Sequence, residues 1–175
     1  GAIGDEIEKA GVHLLDARVF MDEDMTEEGM IVKGKEKIDP KHLAHGIEVA
    51  RENARLDVGQ GVVVSRGTEL AVEAFEGTNA MLERAGNFGA KNCLFIKLGK
   101  TKQDTRFDVP VFGLQTLEAM RGAGIKNAAI EAGSVLLLNQ KEVFATILDG
   151  KNIRTLPKQE QGVLLMGNEA NGISK

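Results

Sequence analysis

One run of the chain interleaves acids with bases directly after an apolar stretch: Lys97-Leu98-Gly99-Lys100-Thr101-Lys102-Gln103-Asp104-Thr105-Arg106-Phe107-Asp108-Val109-Pro110. Asp104 and Asp108 are hard oxygen donors of the kind that hold Mg²⁺ or Mn²⁺. Lys97, Lys100 and Arg106 can neutralise phosphate oxygens, arginine bidentately and lysine as a point charge. Two carboxylates among cations suit a diphosphate carried with a divalent metal. A solvated loop with local ion pairs has the same composition, so composition leaves both readings open.

A second constellation is Glu73-Ala74-Phe75-Glu76-Gly77-Thr78-Asn79. Glu73 closes a predicted strand, and Thr78 is expected to cap a helix running from Asn79 to about Arg84. A helix start at Gly77-Thr78 aims backbone N–H groups at any bound phosphate. Glu73 and Glu76 could add metal ligands or a general base. The plain alternative is a capped turn with exposed carboxylates. A third constellation, Asp57-Val58-Gly59-Gln60, falls at a helix-to-strand turn and could equally be a simple connection. His42 and His45 sit three residues apart on one predicted helix without a third ligand nearby, which reads as a solvated face.

These groups need elements to position them. Asp39-Pro40 opens a helix, Asp as N-cap and Pro at the first position, running to about Ala54. Val62-Val63-Val64-Ser65 and Leu70-Ala71-Val72-Glu73 flank Arg66-Gly67-Thr68 as a hairpin. Cys93 to Leu98 reads as a buried strand, with Cys93 itself a buried hydrophobe. A helix spans Leu114 to Arg121 and stops at Gly122 and Gly124. Short apolar runs follow at Ala128–Glu131 and Val135–Leu138, then a helix over 140–148 and a strand at Val163–Met166. Met21 to Lys37 reads as a loop. The pattern predicts an α/β fold: a single mixed-sheet domain with flanking helices and Gly-rich turns.

The 175 residues carry 22 basic and 26 acidic side chains, a formal charge of −4. That balance argues against a nucleic-acid partner, which leaves a basic excess. A single cysteine excludes an intrachain disulfide and fits a reducing, cytoplasmic setting. No apolar run approaches the roughly 20 residues of a membrane span.

Three strings occur in one order: Asp57-Val58-Gly59-Gln60, Ala71-Val72-Glu73-Ala74-Phe75-Glu76-Gly77-Thr78 and Gln103-Asp104-Thr105-Arg106-Phe107-Asp108-Val109-Pro110. Gly113, Thr116-Leu117-Glu118 and Ile130-Glu131-Ala132-Gly133 follow. Over residues 5 to 144 the chain resembles the C-terminal domain of the UDP-2,3-diacylglucosamine pyrophosphatases of lipid A biosynthesis. The resemblance implies metal-dependent hydrolysis of that substrate to UMP and 2,3-diacylglucosamine 1-phosphate. It places an essential aspartate at Asp104 or Asp108. The expected catalytic groups are Asp104, Asp108 and Glu73, with Asp104, Asp108 and Glu76 on the metal. Gln103, Arg106, Lys97, Lys100, Gly77, Thr78 and Gln60 would hold substrate. The family has Asp where this chain has Asn79, which would weaken any metal site using that position. The resemblance also implies a missing N-terminal domain, room for a homodimer, and peripheral contact with the inner membrane through the lipid substrate.

Residues 145–175 read as an atypical tail. Gly167-Asn168-Glu169-Ala170-Asn171-Gly172-Ile173-Ser174 resembles one motif of knotted RNA 2'-O-methyltransferases, which implies an S-adenosylmethionine site. The other motifs of that family are absent. A methyltransferase fragment and a non-catalytic interaction domain are the competing readings.

Overall fold

The computed structural model describes residues 2–16, 19, 21, 24–26, 28–32, 37–89, 91–100, 109–138 and 162–166. The elements run α1 (Ala2–Lys9), β1 (Gly29–Val32), α2 (Pro40–Arg55), β2 (Gly61–Ser65), β3 (Thr68–Val72), α3 (Thr78–Gly86), β4 (Cys93–Lys97), β5 (Val111–Phe112), α4 (Leu114–Gly122), β6 (Asn127–Glu131), β7 (Leu136–Leu137) and β8 (Gly162–Met166). Six strands form one mixed sheet in the order β1-β8-β6-β4-β2-β3, and β5 pairs with β7 in a small second sheet. The α/β architecture with flanking helices is thus as expected.

Strands β4, β6 and β8 are mutually parallel, whereas β2 is antiparallel to both β3 and β4. Two successive reversals make β3 run the same way as β4. The carboxyl ends of β3, β4 and β6 therefore share one edge of the sheet, together with the start of β2. In open α/β sheets ligands bind at that edge.

Strand alternation assigns side chains to two cores. Val62, Val64, Leu94, Ile96 and Ala129 pack with Leu43 and Ala50 of α2 on one face. Val63, Ala71, Cys93, Phe95, Ala128 and Ile130 pack with Met81, Leu82 and Leu117 of α3 and α4 on the other. Phe95 and Phe112 stack there with ring centroids 6.4 Å apart. Because successive strand residues point to opposite faces, Lys97 follows Cys93 and Phe95 toward α3 and α4. Glu73, two residues past Ala71, follows the same face.

Helix α2 begins as expected, with the Asp39 side chain accepting from the Lys41 N–H at 2.8 Å. Two expectations are corrected. The stretch read as a loop from Met21 to Lys37 contains β1, because the Met30-Ile31-Val32 run pairs antiparallel with β8. That short strand depends on a partner distant in sequence. Thr78 is not a cap: Gly77 occupies the N-cap with φ 80°, and Thr78 is the first helical residue. The strand expected at Val163–Met166 is present between β1 and β6. The helix expected over 140–148 and the Gly167–Ser174 motif lie outside the described residues.

Candidate functional site

Helices α3 and α4 both start at the carboxyl edge of the sheet. Each begins at a glycine, Gly77 and Gly113, with no side-chain cap and no acidic residue in its first turn. The N–H groups of Thr78, Asn79 and Ala80, and of Leu114, Gln115 and Thr116, therefore have no intrahelical acceptor. Each helix start carries roughly half a positive charge. Between them opens a cavity of about 850 Å³, lined by both first turns, Glu76, Lys97, Val111 and Leu138. Two donor-rich, acid-free helix starts facing one space suit an anion with several oxygens.

Lys97 forms part of the cavity wall yet is only 4% exposed, and Glu73 behind it is 6% exposed. Buried charges need compensation, and a threonine hydroxyl supplies the link. The Lys97 ammonium donates to Thr78 Oγ1 at 2.8 Å, and that hydroxyl donates to Glu73 Oε1 at 3.0 Å. Glu73 Oε2 has no hydrogen-bond partner among the described residues. Its oxygen occupies space that only glycine leaves at position 61, where a Cβ would stand 2.5 Å from it.

The backbone of Glu73 is pinned from two sides. Its N–H donates to the Gly61 carbonyl at 2.8 Å, and its carbonyl accepts from Asn53 Nδ2 at 2.9 Å. Gly59 packs so closely that a Cβ there would lie 2.2 Å from the Glu73 oxygen. The Asp57-Val58-Gly59-Gln60 turn thus acts as a seat for Glu73. Asp57 adopts φ 59° within it.

The exit of β4 is fixed as well. Leu98 N–H donates to the Gln60 carbonyl at 3.0 Å, Gly99 N–H to Glu131 Oε2 at 2.9 Å, and Lys100 pairs with Asp57 at 2.9 Å. Lys100 and Gln60 accordingly sit at the same sheet edge as Lys97. Glu76 lies on the rim, and Arg84 holds its carboxylate at 2.5 Å while also donating to the Val72 carbonyl at 2.9 Å. The hydrogen bond from Arg84 holds the Glu76 carboxyl below its ordinary range.

The structure therefore brings Gly77, Thr78 and Lys97 to the cavity wall, with Glu73 hydrogen-bonded to Thr78 behind it and Gln60 and Lys100 at the same sheet edge. Glu76 is engaged by Arg84. Asp104, Asp108, Gln103 and Arg106 lie outside the described residues. Among the described residues no three His, Cys, Asp or Glu side chains cluster as a metal site. His45 pairs with Glu69 across to β3. The start of α4 was not singled out as a binding element. The available signal was Gly113, directly after the apolar Val111-Phe112 pair, followed by a first turn without acids.

The profile of the family described as "LpxI C-terminal domain" matches residues 27–153. A curated relative, the UDP-2,3-diacylglucosamine pyrophosphatase LpxI of Caulobacter vibrioides, is 37% identical over 156 residues, covering 83% of this chain and 55% of that protein. The chain thus spans about half the length of this relative.

Proposed function

Since the chain belongs to the LpxI C-terminal domain family, we propose that it is the phosphate-handling part of an enzyme that hydrolyses the diphosphate bond of UDP-2,3-diacylglucosamine in lipid A synthesis. The products are UMP and 2,3-diacylglucosamine 1-phosphate. The observation that carries this reading is the cavity between two uncapped helix starts, with the buried Lys97 in its wall.

In this reading the N–H groups of both first turns and the Lys97 ammonium take the non-bridging phosphate oxygens. Phosphoryl transfer depends on such positioning and charge neutralisation more than on a covalent nucleophile. Lys100, Gln103, Arg106 and Gln60 extend the substrate contacts. Asp104 and Asp108 are assigned to a Mg²⁺ or Mn²⁺ ion. The chain's acidic donors are hard oxygens of the type such an ion takes. When bound, the ion would neutralise charge and supply an activated water. Glu76 is left with Arg84. The lipid substrate brings the enzyme to the cytoplasmic face of the inner membrane. No described helix is long and apolar enough to cross a membrane.

The test is UMP release from UDP-2,3-diacylglucosamine by the full-length protein containing this domain, with Mg²⁺ or Mn²⁺ present. Release is expected, and the Asp104→Ala/Asp108→Ala double variant should abolish it. Undiminished turnover by that variant would end the assignment.

A further inference from the structure

We infer that Thr78 is a positioning residue: its hydroxyl aims the Lys97 ammonium into the cavity and is not itself a phosphate donor. This inference rests on the diphosphate reading of the cavity. A threonine hydroxyl has one proton to donate and two acceptor sites. The proton is spent on Glu73 Oε1 at 3.0 Å, and one acceptor site takes the Lys97 ammonium at 2.8 Å. To donate to a phosphate, the hydroxyl would have to abandon the carboxylate of Glu73, a residue only 6% exposed, whose other oxygen is already unpartnered among the described residues. Removing a partner from a buried charge is costly, so the hydroxyl stays with Glu73.

The remaining geometry makes the link directional. Glu73 is held through its backbone by Gly61 and Asn53. Thr78 is held by its place at the start of α3, after Gly77 at φ 80°. Thr78 lies on α3 and Glu73 directly follows β3, while the lysine stem between Cα and ammonium has four rotatable bonds. A lysine is a mobile point charge unless something fixes its head. Thr78 supplies one such contact on the side of α3, at 2.8 Å, with the Glu73 carboxylate behind it.

The experiment measures binding of inorganic diphosphate with Mg²⁺ to this chain by calorimetry, with melting temperature as the fold control. Thr78→Val keeps the shape and removes the hydroxyl, while Thr78→Ser keeps the hydroxyl. Affinity should fall about tenfold in Thr78→Val, or about 1.4 kcal/mol, and stay within about threefold of the parent in Thr78→Ser. Should Thr78→Val not fold, Thr78→Ala is read in its place. Equal affinity in the parent and the hydroxyl-free variant, or an equal loss in Thr78→Ser, would overturn the positioning role. Lys97→Met separates this from the reading beneath it. If Lys97→Met loses binding while Thr78→Val does not, only the positioning role falls. If Lys97→Met binds as the parent does, or the parent binds no diphosphate, the cavity reading falls and takes the positioning role with it.

Discussion

Replacing Gly59 by alanine should damage the site through its backbone. The added Cβ would stand 2.2 Å from the Glu73 carbonyl oxygen, 2.7 Å from its carbonyl carbon and 3.0 Å from Asn53 Nδ2. The two closest of these atoms are main chain, so rotating a side chain cannot relieve them. Glu73 cannot retreat freely either: its N–H is bonded to Gly61 and its carbonyl to Asn53. Overpacking a tight contact costs about 1–3 kcal/mol. Breaking one of the two hydrogen bonds adds about 1 kcal/mol. The sum is roughly 2–4 kcal/mol, which for a chain of this size lowers Tm by roughly 5–15 °C. Urea and thermal melts of Gly59→Ala beside the parent would measure it. Gly122→Ala is the control, since a Cβ there meets nothing within 4 Å and should shift stability by less than about 0.5 kcal/mol. A Gly59→Ala protein that melts within 2 °C of the parent (~0.5–1 kcal/mol at this size) would refute the idea that this turn is a rigid seat for Glu73.

Three further outcomes follow from the same structure. Asp39→Ala removes the side-chain acceptor at the start of α2 and should cost about 0.5–2 kcal/mol in denaturant melts. Gly86→Ala would put a Cβ 2.7 Å from the Ala123 Cα, prising α3 from α4; about 1–3 kcal/mol of lost stability is expected, and an unchanged melt would contradict the packing. The hydrogen bond from Arg84 holds the Glu76 carboxyl below its ordinary range in the folded chain. A carboxyl with a depressed folded pKa stabilises above its unfolded value and loses that contribution as pH falls through the folded one. The Tm gap between the parent and Glu76→Gln should therefore be full above about pH 4.5 and close at lower pH; a gap independent of pH would show that the Arg84 contact is not ionic in effect.

Much of the fold was legible in local patterns. Asp39-Pro40 marked the start of α2, the Arg66-Gly67 turn marked the hairpin, and Gly122 marked the end of α4. Each signal is carried by a few adjacent residues with restricted or permissive backbones. The strand β1 was not legible, because four residues become a strand only when β8, far along the chain, supplies their hydrogen bonds. The capping of α3 was misread for a similar reason. Thr78 has a good capping side chain, but the helix begins one residue earlier, with Gly77 at the N-cap, and the Thr78 hydroxyl accepts from Lys97 and donates to Glu73 instead.

By itself the sequence determined the inventory of chemistry: the acids and bases of 97–108, the glycines at 59, 61, 77 and 113, and the alternation that sends Lys97 and Phe95 to one face. Tertiary structure alone decided that two helix starts separated by some 35 residues share a cavity, and that Glu73 sits behind Lys97 with a threonine between them. The physical reason is range. Side-chain type and backbone preference act over a turn or two of chain, whereas the direction of a buried hydrogen bond depends on which distant strand has been brought alongside.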